Sequence, residues 1–409
     1  MIVRRSAAVL AATAVIGSAF APSALADDSS PSSSPSQALP SGLYGSSDPT
    51  YDGVWRQSLA LLAQHTAGVR PAAKAVDWLA GQQCANGAFA PYRADATAKC
   101  GARTMVDTNS TAAAVQALEA LGGHDSVTGA AVKWLKSVQN KDGGWGYAAG
   151  GASDTNSTAV VIGALDAAGT DPKAVSSKDD KTPYDALLSL SIGCGKKGSG
   201  AFAFQPDKKG GLAANADATA AGVLGALGKG FVTKAGKSSG DFTCAGGDTF
   251  DPADAAHNGA SFLAESLKKS PYLKSALAGA EDQPDYGNTA DAVVALAAAG
   301  SASAAKQPLA WLEKNSGAWA AKAGPAAYAQ LIFAAHATGT DPRDFGGADL
   351  VERLGATGPA ARAAGDSATL DTEQKDDSGL GVWWIVGVGL VAGIGVGFLI
   401  SGRNRKRQL

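Results

Sequence analysis

Apolar and small residues recur at helical spacing along most of the chain, in two alternating forms. The first form is a helix start. DTNSTAAAVQALEALG begins at Asp107, DTNSTAVVIGALDAAG at Asp154, NADATAAGVLGALGKG at Asn215 and DYGNTADAVVALAAAG at Asp285. In each, Asp or Asn is followed four residues later by Thr (Thr111, Thr158, Thr219, Thr289) and fifteen residues later by Gly (Gly122, Gly169, Gly230, Gly300). The pattern predicts a helix of about four turns, with Asp or Asn as N-cap and Gly as the C-terminal stop. The second form is a helix ending in a glycine-aromatic turn. AVDWLAGQQCANGAF and AVKWLKSVQNKDGGW carry Gln83, Gly87, Phe89 and Gln139, Gly143, Trp145 at matching positions. Weaker copies end at Phe202 and at Gly317-Ala-Trp319, where the turn lets the chain reverse and the aromatic plugs a gap between helix pairs.

Two degenerate copies, Val54–Thr66 and Ala326–Thr338, keep the length and the glycine stop but lack the Asp/Thr signature. First-type helices are then predicted at 54–66, 107–121, 154–168, 215–229, 286–299 and 325–338. Second-type helices fall near 71–83, 128–139, 184–193, 257–269, 305–315 and 347–354. Six alternating pairs predict an all-α fold, an α6/α6 toroid over residues 51–356 with the Ala-rich set inside. Open solenoids use the same grammar, so closure is inferred from the count.

The chain ends read differently. Residues 1–26 have a basic start (Arg4, Arg5), an apolar stretch and Ala24-Leu25-Ala26, the pattern of a cleaved secretory signal. Residues 381–400 form an uncharged run that matches the roughly 20 residues needed to cross a bilayer. Trp383 and Trp384 stand at its entrance and Arg403, Arg405, Lys406 and Arg407 follow it, which predicts a single-pass membrane protein with an extracellular domain and a cytoplasmic tail over 401–409. Segments 27–50 and 357–380, rich in Ser, Pro, Gly, Ala and charge, read as a linker and a membrane stalk.

Charge and cysteine usage fit export. The chain carries 35 Lys and Arg against 37 Asp and Glu, and setting aside six cations in the signal and tail leaves the ectodomain near −8. A nucleic-acid partner would need a basic face, so none is expected. The four cysteines predict two disulfides; three connectivities are open, and Cys84–Cys100 with Cys194–Cys244 is the preferred one. Neither C-x-x-C nor H-x-x-x-H spacing supports a metal site, and no metal or cofactor is expected.

The Gln-x-x-x-Gly-x-Trp element of QNKDGGWGY, joined to DTNSTA-type helix starts, resembles the prenyltransferase/squalene-oxidase repeat superfamily, whose domains are α6/α6 toroids. The resemblance covers most of residues 51–356. That superfamily includes terpene cyclases, protein prenyltransferase β subunits, complement-type thioester domains and vitamin B12 carriers of the intrinsic factor and transcobalamin type. The residues that carry chemistry in its enzymes are missing here. Asp-x-Asp-Asp and Asp-Asp-x-x-Asp do not occur, and Asp179-Asp180 and Asp376-Asp377 lack the preceding Asp. The zinc pattern is one residue too long at Asp241-Phe-Thr-Cys244, with His257 beyond it, and the thioester motif is replaced by Cys194-Gly195-Lys196-Lys197.

The resemblance therefore implies a non-enzymatic carrier, with a corrinoid as one suitable ligand and a membrane transporter as the partner that receives it. In a toroid the first-type helices start at one end, so Asp107, Thr108, Asn109, Asp154, Thr155, Asn156, Asn215, Asp217, Asp285 and Asn288 would converge on a ligand there, with Trp145 and Tyr147 as aromatic surface. The same Asp and Thr residues are also explained as helix caps, and Trp145 and Tyr147 as packing. His65 and His336 would be neighbours in a closed ring. Two other classes stay open: an isoprenoid- or polysaccharide-processing enzyme using Asp107, Asp154 or Asp285 as acid, and a surface protein-interaction module.

Overall fold

The computed structural model describes residues 39–238, 243–246, 250–275 and 281–363. The predicted signal, membrane span and basic tail lie outside the described residues, as does most of the stalk. Among the described residues no helix is long and apolar enough to cross a membrane.

The chain is all-α, with thirteen α-helices among the described residues. They are α1 (Gly53–Thr66), α2 (Ala73–Gly81), α3 (Thr108–Leu121), α4 (Asp125–Ser137), α5 (Thr155–Ala167), α6 (Pro183–Ser189), α7 (Ala216–Ala226), α8 (Pro252–Lys269), α9 (Tyr286–Ala298), α10 (Ala302–Asn315), α11 (Gly317–Ala323), α12 (Pro325–Thr338) and α13 (Leu350–Gly355). The strands are two-residue pairings: β1 (Val69–Arg70) with β4 (Arg362–Ala363), and β2 (Leu273–Lys274) with β3 (Pro284–Asp285).

Composition explains which helices form the centre. Helices α1, α3, α5, α7, α9 and α12 are buried on most of their circumference; all but α1 are rich in Ala or Gly, whose small side chains allow backbones to approach on every side, and α1 buries Leu59, Leu61 and Leu62 together with Gln57 and Gln64. Helix α4 instead buries only the stripe Thr128, Ala131, Trp134 and Leu135, the spacing of one face against a core. The central helices pack in the order α1, α3, α5, α7, α9, α12, and α12 packs back on α1. Each partner helix bridges two neighbours: α2 lies on α1 and α3, α4 on α3 and α5, α6 on α5 and α7, α8 on α7 and α9, α10 on α9 and α12, and α13 on α12 and α1.

Three details differ from the sequence pattern. Residues within both predicted linkers, 44–45 of the first and 357–359 of the second, are part of the packed body. Tyr44 is fully buried, and its hydroxyl donates to the Pro359 carbonyl at 2.7 Å and accepts from Gln64 Nε2 at 2.9 Å. The Gly45 amide donates to the Thr357 carbonyl at 2.8 Å, so the two ends of the helical array clasp each other. Second, the Gly317-Ala-Trp319 element is not a turn but opens the extra helix α11, which takes part of the connection to α12. Third, α7 ends early. Its left-handed glycine is Gly228 rather than Gly230, which frees residues 229–231 to turn beneath the neighbouring helices.

Both predicted disulfides form, Cys84–Cys100 and Cys194–Cys244, with Cα atoms 5.6 and 5.7 Å apart. Their presence is compatible with an extracellular protein.

Candidate ligand-binding cavity

The two sequence forms meet in one repeated hydrogen-bond unit. Thr111 Oγ1 accepts from the Phe89 amide at 2.9 Å, Thr158 from Trp145 at 3.1 Å, Thr219 from Phe202 at 3.0 Å and Thr289 from Leu273 at 3.0 Å. The amide of each cap residue returns to the same turn: Asp107 donates to the Phe89 carbonyl at 3.1 Å, Asp154 to Trp145 at 3.0 Å and Asn215 to Phe202 at 3.0 Å. Leu273 thus fills the aromatic's place in a fourth turn that has no glycine-aromatic sequence. Gln83 and Gln139 brace their turns by donating to the Gly87 and Gly143 carbonyls at 2.9 and 2.8 Å. Gly143 has φ +92°, and a Cβ there would sit 2.1 Å from the Thr182 carbonyl oxygen, so the turn presses directly on the start of α6.

This unit orients the central helices about a cavity of about 230 Å³, and all six contribute to its wall. The lining positions follow the caps. Two residues after the cap come Asn109, Asn156 and Asp217; six after it come Val160, Ala221, Asp291 and Gln330; nine after it come Gln116, Leu224 and Phe333. That spacing is one face of a helix.

The cavity has two unlike walls. On α1 and α12, Trp55 and Phe333 meet Phe231 from the segment after α7, Trp55 edge-on at 5.5 Å and Phe333 stacked at 6.3 Å. Gln116 holds that segment by accepting from the Phe231 amide at 3.0 Å while donating to the Val160 carbonyl at 3.1 Å. A Cβ at 230 would lie 2.2 Å from Gln116 Oε1, so a larger residue there would push the Gln116 amide off the Phe231 backbone. The opposite wall is acidic. Asp217 accepts from Asn156 Nδ2 at 2.7 Å and Asp291 from Gln330 Nε2 at 2.9 Å.

These carboxyls are held towards their neutral forms. Burial, then the neighbouring Asp217 charge, pushes Asp291 up to about 7, and Gln330 offsets part of the rise. Asp217 is raised by burial and by the charge of Asp285, against the lowering effect of Asn156. Among the described residues no ion pair reaches Asp217, Asp285 or Asp291. The amide oxygens Asn109 Oδ1 and Asn156 Oδ1 are buried without a hydrogen-bond partner.

The residues proposed from sequence separate into two groups. Asn109, Asn156 and Asp217 line the cavity. Asp107, Asp154, Asn215 and Asp285 act as N-caps, accepting from Ser110, Ser157, Ala218 and Asn288 amides at 2.6, 2.7, 2.9 and 3.0 Å. Asn288 binds back to Asp285 at 2.8 Å, Thr155 donates its hydroxyl to the Ala203 carbonyl at 2.6 Å, and the Thr108 amide donates to the Tyr147 carbonyl at 2.8 Å. Asp107 is 2% exposed; burial raises its carboxyl to about 6, and one oxygen is left unpartnered. Trp145 is 1% exposed and donates from its indole to the Leu135 carbonyl at 2.8 Å, so it presents no face to a ligand. Tyr147 is half-exposed, and burial together with the nearby Asp107 pushes its phenol up to about 12.

His65 and His336 border different surface grooves, and among the described residues no three His, Cys, Asp or Glu side chains are grouped to hold a metal ion. Sequence reasoning missed Trp55, Gln116, Phe231, Asp291, Gln330 and Phe333. Asp291 had a legible signal, because it is the only charged residue six positions after any of the four signature caps, where the others carry Ala113, Val160 and Ala221. Compared with models of known protein families and with curated proteins, the chain matches none.

Proposed function

We propose that this protein is a non-enzymatic small-molecule binding protein of the α6/α6 toroid type, with its site in the central cavity. The observation that carries the reading is a cavity lined by all six central helices, in which buried amide oxygens lack partners and carboxylates lack counter-ions. The return of α12 onto α1 supports closure of the ring, and the glycine-aromatic turns support kinship with the prenyltransferase/squalene-oxidase repeat superfamily. The signal and apolar C-terminal run support export and anchoring by a single span, from which a bound ligand would pass to a membrane transporter. A corrinoid is larger than a 230 Å³ cavity admits, given that sites for drug-sized ligands run about 300–1,000 Å³, and would have to rest across the helix N-termini.

The test is titration of the full chain, purified in detergent, with cobinamide and a panel of fragment-sized molecules, repeated with Ala221→Phe to fill the cavity. One-to-one binding abolished in a folded Ala221→Phe protein is the expected outcome. Binding untouched by that substitution, or none at all, would end the reading.

A second reading has one observation in its favour. A buried carboxyl held near 7, as Asp291 is, in a cavity whose other wall is aromatic suits a general acid, so the cavity could protonate an isoprenoid. Product formation from an isoprenoid, lost in Asp291→Asn, is what that reading requires.

A further inference from the structure

The binding reading leaves the ligand's chemistry open, and the cavity constrains it. Three amide donors around the cavity are already engaged: Asn156 Nδ2 is bound to Asp217 and Gln330 Nε2 to Asp291, while Gln116 Nε2 is bound to a backbone carbonyl. What the acidic wall mainly offers a visitor is acceptors, namely the Asp217 and Asp291 carboxylates and the buried Asn156 Oδ1, while the Asn109 amide, which no hydrogen bond among the described residues orients, turns its oxygen to a donor. The orientation of Asn156 is fixed by its bond to Asp217, since a flipped amide would set oxygen against carboxylate. Lys229 also borders the cavity, but it is exposed and lies beyond the far end of α7 from Asp217. The other wall offers the rings of Trp55, Phe231 and Phe333. Helix N-termini by themselves favour anions, but at α3, α5, α7 and α9 an end amide is already taken by the helix's own Asp or Asn cap, and the side chains added beyond those caps on α7 and α9 are the carboxylates Asp217 and Asp291.

Resting on the binding function proposed above, we infer that the cavity takes a small organic cation: a protonated amine with a compact apolar or aromatic body. The ammonium sits between Asp217 and Asp291 and donates to Asn109 Oδ1 and Asn156 Oδ1. The body packs against Trp55, Phe231 and Phe333, where ring faces add attraction for positive charge. The arriving cation supplies the counter-charge that Asp217, Asp285 and Asp291 do not receive from the chain. Below about pH 7 Asp291 is largely protonated, so capture of the cation there expels a proton.

Three probes of one size separate the chemistry: phenethylamine, 2-phenylethanol and phenylacetate, titrated into the full chain at pH 6.5 and 8. The expected result is phenethylamine binding about tenfold or more tighter than the alcohol, with no phenylacetate binding. Its binding at pH 6.5 should release a proton, read from heats in buffers of different ionisation enthalpy. Asp291→Asn and Asp217→Asn should each weaken the amine about tenfold or more and the uncharged alcohol by less. Circular dichroism and thermal melting of each variant control for a folded body, and an equal loss for amine and alcohol would overturn the cation assignment. If the alcohol or phenylacetate binds as tightly as the amine, and Ala221→Phe blocks it, the cation assignment falls and the binding function stands. If none of the three binds, the cation assignment falls, and cobinamide and the fragment panel alone decide the binding function.

Discussion

Helices α5 and α7 start from the same device and deliver different chemistry. Each is capped by an Asp or Asn whose side chain accepts from the amide three residues on, and each carries a Thr that ties it to the preceding turn. Two residues after the cap, α5 presents Asn156 and α7 presents Asp217, and these two side chains bind each other at 2.7 Å. The repeated residues build the scaffold, and the residues that vary between repeats face the cavity. A cap must satisfy the same unpaired amides in every copy, whereas a lining position is free to differ wherever it faces a ligand instead of the chain.

That contrast can be broken most forcefully at Trp145. Trp145→Ala should cost about 3–5 kcal/mol, because it removes a fully buried ring and the indole bond to Leu135. Chemical denaturation measures it, and a loss under 1 kcal/mol would mean the turn is not part of the core.

Next come two carboxyls with opposite expected signs. Asp154→Ala removes a cap and should lower stability by about 1 kcal/mol. Asp291→Asn should raise it at pH 8 by on the order of 1 kcal/mol, since the wild-type carboxyl must ionise there in an unfavourable place. The sign follows from linkage: a carboxyl whose folded-state value is raised stabilises the fold below its unfolded value near 4, and that contribution is lost as pH rises through about 7. Asp107, raised to about 6, acts in the same direction over a narrower range. Thermal melts between pH 4.5 and 8 should therefore show stability falling as pH rises, with a flatter slope in Asp291→Asn. An identical slope in both proteins would remove Asp291 from the account.

The smallest stability effect is expected at Asn156. Asn156→Ala should change stability by no more than about 0.5 kcal/mol, because the bond it gives up to Asp217 is offset by removal of a buried oxygen that has no partner among the described residues. It should nevertheless weaken ligand binding by deleting an acceptor and freeing Asp217. A cap-sized loss of stability would place Asn156 with the scaffold and blur the distinction drawn between α5 and α7.

Much of the fold was legible because its rules are local. The N-caps at Asp107, Asp154, Asn215 and Asp285 sit where the pattern put them, as do the glycine stops other than Gly230. Helix α11 was not legible, since Gly317-Ala-Trp319 has the composition of the turns and only its surroundings make it helical. The site was half legible. Asn109, Asn156 and Asp217 were picked out for lying near caps, but the caps themselves were included with them, since a linear reading does not say which atoms of a helix start face inward.

The sequence by itself determined the helix pairs, their order, their caps and the number of disulfides, since each depends on residues close together or on a count of cysteines, while the structure selected Cys84–Cys100 and Cys194–Cys244 from three open connectivities. Only the tertiary structure decided what shares the cavity. Trp55, Asp291 and Phe333 come from helices far apart in the chain, and Phe231 reaches them because α7 stops at Gly228 and two glycines let the next segment pass beneath Gln116. Which side chains face one another across a set of packed helices depends on packing angles and rotation about each axis. No local pattern encodes those, because they are set jointly by all six neighbours.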